Sequence, residues 1–295
     1  MSMATRAEMS RIAFVNGRYV PKSEAAVHIE DRGYQFADAV YEVWGVSNGH
    51  LMDYEGHMAR LERSLDALRI AHPMSRAALT QVLRETVRRN RVVNGLVYLQ
   101  ISRGTAPRDH PFPPADTPPS VVVTAKSVSR AKQEAGAAKG ISVVTRPDIR
   151  WGRCDIKTVG LLPNILAKQD AIDSGAADAW LVDEMGVITE GTASNAWIVD
   201  ADGVIRTRDT QANILHGITR AAILRIAREQ GLKLEERGFK PDDVKAAREA
   251  FYTNASGFAT PVVAIDGVKI GDGKPGPVAL RLRELYLERA EGEAV

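Results

Sequence analysis

Short apolar runs separated by turn residues open the chain, and helical periodicities appear further along it. Asn-Gly pairs between apolar runs predict two β-hairpins, with turns at Asn16-Gly17 and Asn48-Gly49. Apolar residues three or four positions apart predict helices, and short apolar or alternating runs predict strands. The predicted helices cover residues 55–70, 75–90, 162–174, 218–230 and 277–291. Further predicted strands cover residues 96–102, 120–125, 141–145, 179–182, 196–199 and 250–253.

The order of these elements predicts an α+β protein made of two domains. We expect an N-terminal α/β domain over residues 1–126 and a C-terminal domain over residues 140–295. The stretch 127–139, rich in Lys, Ala and Gln, is the expected interdomain linker. A polar, Pro-rich loop from Arg103 to Pro119 is long for a plain connector, which indicates a functional role.

Composition and charge indicate which kinds of binding partner and which cellular location to expect for this protein. The chain has 295 residues, and its net charge of +2 gives no basic excess that would favour nucleic acid. No apolar run is long enough to span a bilayer, and Met1–Ser10 lacks the apolar segment of a secretory signal. The single cysteine, Cys154, excludes an intrachain disulfide and a cysteine metal cluster. We therefore expect a cytoplasmic protein without a metal, membrane or nucleic-acid partner.

A lysine, a carboxylate and a helix start follow one another in the second half of the chain. Lys157 stands in a semi-apolar stretch that can bury its stem, so it can act as nucleophile and then as base. Glu190 can face a protonated ring nitrogen, and the helix start at Gly217-Ile218-Thr219 can hold a phosphate on its N–H groups. An amine, a carboxylate and a phosphate cradle are the parts that a pyridoxal 5′-phosphate (PLP) enzyme needs.

Each of these residues also has an ordinary structural explanation. Lys157 can be an exposed lysine, Glu190 a solvated strand end, and Gly217 part of a capped helix start. Ser194 and Asn195, which precede the predicted strand at 196–199, can be turn residues only. The combination of the three features favours the PLP interpretation, whereas none of them does so alone.

The ordered set resembles the fold-type IV PLP enzymes, a family of branched-chain aminotransferases, D-amino acid aminotransferases and 4-amino-4-deoxychorismate lyases. The resemblance runs over almost the whole chain, from Asn16-Gly17 to residues 260–262. Several blocks closely resemble the D-amino acid branch: Asp31-Arg-Gly-Tyr-Gln-Phe36, Val40-Tyr-Glu-Val43, Arg103-Gly-Thr105, Pro107-Arg-Asp-His110, Asp148-Ile-Arg-Trp151, Cys154-Asp-Ile-Lys157 and Gly217-Ile-Thr-Arg220.

The resemblance implies a role for each candidate residue. Lys157 is the Schiff-base lysine, Glu190 the partner of the pyridine nitrogen, and Leu215 packs against the ring. The phosphate is expected to bind Arg60, Ile218 and Thr219. The other expected cofactor-binding residues are Ser194, Asn195, Gly217, Asn254 and Ala255. The residues that match the family's trap for the substrate carboxylate are Tyr41, Arg108 and His110, of which the arginine can form a two-pronged charged hydrogen bond.

One block departs from the family pattern. Where the D-amino acid enzymes offer hydroxyl residues to the phosphate, this chain has Thr253-Asn254-Ala255-Ser256-Gly257. Ala255 has no side-chain donor, so it can offer the phosphate only its backbone N–H. PLP binding is expected to survive this change.

The implied activity is the transfer of an amino group from a D-amino acid, such as D-alanine, to 2-oxoglutarate or pyruvate. The alternative on the same fold is an R-selective amine or branched-chain aminotransferase, or an aminodeoxychorismate lyase, and the Arg108/His110 pair argues against each. A non-catalytic PLP-binding protein is an alternative of another class, against which the presence of Lys157 argues. The resemblance also implies a homodimer, with the loop from Arg103 to Pro119 reaching into the neighbour's site.

Overall fold

The computed structural model describes residues 11–292 and divides them into two compact units. The first unit contains residues 11–129 and 156–160, and the second contains residues 130–155 and 161–292. The segment Met1–Ser10, from which the absence of a secretory signal is expected, lies outside the described residues. Among helices of the described part, none is long and apolar enough to cross a membrane.

The first unit is built on a six-stranded sheet of order β2-β1-β6-β5-β3-β4, in which all neighbouring strands are antiparallel. The strands are β1 (Ile12–Val15), β2 (Arg18–Pro21), β3 (Ala39–Ser47), β4 (His50–Leu51), β5 (Gly95–Ser102) and β6 (Ser120–Ser127). The helices are α1 (Arg32–Phe36), α2 (Tyr54–Leu68) and α3 (Arg76–Arg89), and a 3-10 turn covers Lys22–Glu24. The apolar faces of α2 and α3 and one face of the sheet enclose the core.

Both predicted hairpins are confirmed. Asn16 and Gly17 have φ values of 45° and 88°, and Asn48 and Gly49 have values of 51° and 82°. Positive φ at both central residues is the type I′ turn, whose twist matches that of the flanking strands. The predicted helix over residues 55–70 ends earlier, at Leu68, because Arg69 adopts a left-handed conformation with φ of 54°.

The second unit contains a nine-stranded mixed sheet of order β12-β11-β10-β13-β14-β7-β8-β9, with β15 paired to β14. Its strands are β7 (Ile141–Pro147), β8 (Asp178–Val182), β9 (Ile188–Gly191), β10 (Asn195–Val199), β11 (Ile205–Thr207), β12 (Leu234–Glu236), β13 (Glu249–Asn254), β14 (Phe258–Ile265) and β15 (Val268–Lys269). Its helices are α4 (Arg130–Lys139), α5 (Leu162–Asp173), α6 (Ile218–Glu229), α7 (Pro241–Lys245) and α8 (Pro277–Gly292). The mixture of helices with largely antiparallel sheets confirms the α+β class.

The stretch interpreted as a linker contains a helix, α4, which belongs to the second unit. Glu134 on this helix forms an ion pair of 3.0 Å with Arg283 of α8. The Gln133 amide donates a hydrogen bond of 2.6 Å to the carbonyl of Ser256. Only Ala137 of α4 is buried, so the helix has no apolar stripe that would announce it in the sequence.

Residues 156–160 leave the second unit and pair with β3 in the first. The N–H of Tyr41 donates to the carbonyl of Lys157 at 3.0 Å, and the N–H of Val159 donates to that of Ala39 at 3.2 Å. Ile156 is buried in the core of the first unit. Backbone hydrogen bonds and a buried anchor therefore hold the segment that carries Lys157.

Candidate active site

Lys157 lies against the aromatic ring of Tyr41 in the first unit. Its Nζ atom is 4.1 Å from the ring centroid, and its side chain is half-buried. Its backbone N–H donates to the Ser64 hydroxyl at 3.5 Å. Among residues 11–292, no carboxylate forms an ion pair with Lys157. The amine is thus held by a ring and by its backbone, and it stays available to bond to another group.

The three residues of the expected carboxylate trap are not assembled within one chain. Tyr41 packs on Tyr98, with ring centroids 5.6 Å apart, and on Lys157. Arg108 and His110 are exposed and lie instead on Phe36, at 4.8 Å from guanidinium carbon to ring centroid and 5.8 Å between centroids. No hydrogen bond joins either residue to Tyr41 in the described part of the chain.

Arg60 is buried on α2, where it pairs with Glu42 of β3. Its Nε atom is 2.6 Å from one Glu42 oxygen, and its Nη2 atom is 2.8 Å from the other. His57, one helical turn before Arg60, places Nδ1 at 2.8 Å from the same carboxylate. Arg60 and His57 lie on the same face of α2 and both contact Glu42 of β3. The three residues therefore form a buried ionic cluster that fixes the direction of the Arg60 side chain.

The cluster has a defined charge state. Burial alone raises the pKa of Glu42, but the charge and hydrogen bonds of Arg60 and His57 outweigh it, so this pKa lies well below its usual range. Burial lowers the pKa of His57, although Glu42 acts in the opposite direction. At neutral pH the carboxylate of Glu42 is therefore ionised and the His57 ring is neutral.

Glu190 lies at the end of β9 in the second unit and is almost fully buried. The N–H of Leu215 donates to both of its oxygens, at 3.1 and 3.2 Å. The Asn195 amide donates to Glu190 at 3.0 Å and to the carbonyl of Leu215, also at 3.0 Å. The predicted residues Glu190, Asn195 and Leu215 are thus brought together in one hydrogen-bonded group.

Arg150 completes this group through a direct ion pair with Glu190. On its other side Arg150 pairs with Asp148 at 2.7 Å, and the Thr189 hydroxyl donates to Asp148 at the same distance. Burial raises the pKa of the Glu190 carboxyl, and the positive charge of Arg150 counters only part of that effect. The guanidinium beside Asp148 outweighs burial there and lowers the pKa of that carboxyl.

The first turn of α6 carries the residues that are expected to bind the phosphate. No side chain caps it, so its N–H groups keep their hydrogen-bonding capacity, and Thr219 is buried beside them. Gly217 is required before it, because a Cβ atom there would lie 2.0 Å from Oδ1 of Asn195. Ile218 begins the helix and is half-buried. A phosphate is the type of group that this helix end can hold.

Ser194 offers an independent test of whether the residues present fit a polar cofactor. Its hydroxyl oxygen is buried, and it has no hydrogen-bond partner among residues 11–292. A buried polar group without a partner costs about 1–3 kcal/mol. A polar cofactor that reaches Ser194 would remove this cost, so the donors of the second unit fit the expected PLP.

The block that departs from the family pattern forms a tight turn after β13. The side-chain oxygen of Asn254 accepts hydrogen bonds from the N–H groups of Ser256 and Gly257, at 3.1 and 2.6 Å. The Asn254 amide donates to the carbonyl of Ala193 at 3.2 Å. Ala255 is half-buried between them. Asn254 therefore shapes the turn, and Ala255 retains only its backbone N–H as a donor.

Sequence reasoning missed the groups that orient the predicted residues. Arg150 and Asp148 stand within a quoted motif block but are separated from Glu190 by some forty positions. Glu42 carried a detectable signal, because a carboxylate stands inside the otherwise apolar run of β3. Between residues 11 and 292, no group of three His, Cys, Asp or Glu side chains is arranged to hold a metal ion.

Comparison with known proteins identifies relatives of this chain. Residues 39–265 match the family described as amino-transferase class IV. A D-alanine aminotransferase of Bacillus licheniformis is 42% identical, over 89% of this chain and 91% of that protein. One of Staphylococcus haemolyticus is 38% identical, over 95% and 98%. A branched-chain amino acid aminotransferase from T.th., solved with pyridoxamine 5′-phosphate, has a TM-score of 0.87 and 30% identity, covering 96% of this chain and 95% of that one.

Proposed function

Since the chain belongs to the class IV aminotransferase family of PLP enzymes, we propose that it moves the amino group of a D-amino acid, such as D-alanine, to a 2-oxo acid. The expected acceptors are pyruvate and 2-oxoglutarate. The identity with D-alanine aminotransferases over most of both chains supports this substrate class. The similarity to the solved branched-chain enzyme supports the alternative, a branched-chain aminotransferase, although a shared fold does not decide the substrate.

Lys157 is the proposed catalytic residue. PLP, when bound, draws electron density from the carbon that loses its proton. The Lys157 amine has no ion-pair partner among the described residues, which supports its use as the covalent anchor of the cofactor and as the base at the substrate Cα. The backbone pairing of residues 156–160 with β3 keeps the amine beside Tyr41.

The remaining candidate residues are proposed to hold the cofactor. Glu190 would keep the ring nitrogen protonated, because its carboxylate is presented by Asn195 and by the Leu215 N–H. The Leu215 side chain would pack on the ring, and the Ser194 hydroxyl would gain its partner. The proposed phosphate-binding residues are Arg60, Gly217, Ile218, Thr219, Asn254 and Ala255, and most of these stand in the proposed C-terminal cofactor domain of residues 140–295.

The position of Tyr41 beside Lys157 carries the proposal for the substrate. A ring 4.1 Å from the reacting amine can contact the carboxylate side of a bound amino acid. Arg108 and His110 would complete the grip, and an arginine can bind a carboxylate through two charged hydrogen bonds. This grip would fix which hydrogen of Cα faces Lys157, and so would select the D enantiomer.

The exposure of Arg108 and His110 supports a homodimer in which each loop serves the neighbouring site. Within one chain these residues contact Phe36 rather than Tyr41. A second copy would allow them to meet the Tyr41 of its partner. The single cysteine and the near-zero net charge support a cytoplasmic location.

A panel of amino donors tests the proposed function. We expect the purified enzyme to form pyruvate from D-alanine with 2-oxoglutarate, and to be much slower with L-alanine and L-leucine. Preference for L-leucine would instead establish the branched-chain alternative. A visible spectrum that does not change when D-alanine is added would support a non-catalytic PLP-binding protein.

A further inference from the structure

Two buried arginines share one carboxylate beneath the loop that carries Arg108 and His110. Arg32 of α1 donates from Nε to Asp38 at 2.9 Å, and Arg103 donates from Nε and Nη2 to the same carboxylate at 2.7 and 2.9 Å. Arg32 and Arg103 are buried, and only 13% of the Asp38 side chain is exposed. These groups belong to the first unit and lie outside the proposed cofactor-binding set.

Arg32 uses the rest of its guanidinium on the loop. Its Nη1 atom donates to the carbonyl of Asp109 at 2.7 Å, and its Nη2 atom donates to the carbonyl of His110 at 3.4 Å. Asp109 stands between the two proposed carboxylate-binding residues in the sequence, and His110 is one of them. Arg103, in contrast, donates to the carbonyls of Leu68 and Arg69 at the end of α2.

The ring of Phe36 contacts the buried Arg32 and also the exposed Arg108 and His110. The guanidinium carbons of Arg32 and Arg108 each lie 4.8 Å from its centroid, and the His110 ring packs on it. Cation–π contacts of this kind hold a guanidinium against the face of an aromatic ring. Arg32 therefore fixes the backbone of residues 109–110, and Phe36 supports the side chains that project from it.

A long loop with exposed side chains needs such a device if it is to present charged groups in one geometry. Ordering a flexible backbone costs conformational entropy, which specific contacts must offset. A guanidinium presents its donors in a rigid planar fork, which can satisfy one carboxylate and two carbonyls together. A lysine ammonium in its place lacks this fork, so it cannot maintain all three contacts with the same geometry.

We propose that Arg32, anchored by Asp38, is a positioning residue that sets substrate specificity by fixing the backbone of Asp109 and His110 and so the direction of Arg108 and His110. This inference rests on the proposed function of Arg108 and His110 as the carboxylate grip. Arg32 is buried beneath the loop and lies outside the proposed cofactor-binding and carboxylate-binding residues. Its effect is therefore expected in the binding of carboxylate-bearing substrates, and not in PLP content.

The kinetic test compares Arg32→Lys with Arg103→Lys in the PLP-loaded enzyme. Arg103→Lys is the matched control, because it disturbs the same buried carboxylate but leaves the carbonyls of Asp109 and His110 with their Arg32 donor. The Arg103 guanidinium also lies 3.7 Å from the ring centroid of Phe112, so this control perturbs the loop away from the two carbonyls. We expect Arg32→Lys to raise the KM for D-alanine about tenfold, since small misplacements of binding groups cost up to about a hundredfold. Its kcat at saturation and its turnover of a simple R-amine are expected to stay near the wild-type values. Equal losses on D-alanine and on the amine, or the same KM shift in Arg103→Lys, would overturn the proposal.

Amide hydrogen exchange gives a readout that does not depend on catalysis. We expect faster exchange over residues 108–110, next to the two carbonyls that Arg32 holds, in Arg32→Lys than in Arg103→Lys or the wild type. If Arg32→Lys does not fold, Arg32→Gln, which also lacks the guanidinium fork, takes its place in the same measurement. Unchanged exchange in the folded variant refutes the positioning role. If Arg108→Ala leaves the D-alanine KM unaltered while exchange still rises, the proposed function fails and the positioning role stands.

Discussion

The guanidinium of Arg150 forms a buried ion pair with the carboxylate of Glu190, and each side chain is only 6% exposed. Two opposing effects therefore act on the pKa of Glu190: burial raises it, and the charge of Arg150 lowers it. A carboxyl with a higher pKa holds its proton more tightly and gives it less readily to a ring nitrogen. The pKa of Glu190 thus affects how far the ring nitrogen of the proposed cofactor is protonated, and so how strongly the ring withdraws electrons.

We predict that Arg150→Met retains PLP but turns over more slowly, because removal of the positive charge raises the pKa of Glu190 further. Each unit of difference in pKa between carboxyl and ring nitrogen shifts their proton balance about tenfold. Arg153→Met is the matched control, since Arg153 lies in the same segment but is exposed and pairs with Asp155. The measurement is kcat for D-alanine with the PLP content of each variant. Equal values for the two variants would show that Arg150 has only a structural role.

Glu42→Gln is predicted to destabilise the protein at neutral pH by about 3 kcal/mol or more, because it removes the counter-charge of the buried Arg60. The pKa of Glu42 is depressed in the folded state, so its contribution is complete above the unfolded value of about 4.3 and is lost as the pH falls below it. The difference between variant and wild type should therefore narrow in acid. Urea unfolding at several pH values measures it.

The surface variant Glu85→Gln is the control for that experiment. Glu85 pairs with Arg88 and Arg89 at 2.6 and 2.7 Å, but on the exposed side of α3. Solvent and salt screen such pairs, so little loss of stability is expected. If Glu42→Gln were no more damaging than Glu85→Gln, the buried cluster would not be a source of stability.

Arg108→Ala is predicted to weaken the binding of D-alanine selectively. Loss of a charge-assisted hydrogen bond costs about 1.5–3 kcal/mol, which is on the order of ten- to a hundredfold in affinity. A simple R-amine has no carboxylate, so its kcat/KM should change far less. Steady-state kinetics with both donors on wild type and variant provides the test. Equal losses on the two donors, or a wild type that prefers L-alanine, would exclude the D-amino acid assignment.

Mixed dimers test whether the loop acts on the neighbouring subunit. Lys157→Ala and Arg108→Ala are each expected to be poorly active on D-alanine when pure. A hybrid of the two contains one site that combines an intact Lys157 with the Arg108 of the other subunit, so mixing under exchange conditions should restore activity. Mixtures that stay as inactive as the separate variants, or an active monomer in sedimentation, would contradict a shared site.

The sequence predicted most regular elements because their signals are local. The Asn-Gly turns and the apolar stripe of α2 are set by neighbouring residues, and the hairpins and the helix were confirmed. Helix α4 gave no such signal, since it buries only Ala137. Strand β14 was also missed, although it lies in the middle of the sheet order, because Pro261 interrupts its apolar run and a proline argues against a central strand.

The same holds for the candidate site: the sequence indicated the types of residue in it, but not the contacts between residues that are distant in sequence. The types of residue at Lys157, Glu190 and Thr219 indicated an amine, a carboxylate and a helix end. The groups that orient them could not be deduced, because Arg150 reaches Glu190 across forty positions and Arg32 reaches Asp109 across 77. Motif blocks marked these arginines as noteworthy, but only the folded chain shows which atoms they hold.

The pairing of residues 156–160 with β3 also limits how such a protein can be divided. Between residues 11 and 292 the chain passes from one unit to the other three times, after Ser129, Asp155 and Gly160. A gene cut after Ser129 would place the lysine on one fragment and the strand that seats it on the other. The two halves are thus poor candidates for exchange as separate modules. A recombinant protein that takes each half from a different relative would have to match Lys157 of one parent to the β3 strand of the other.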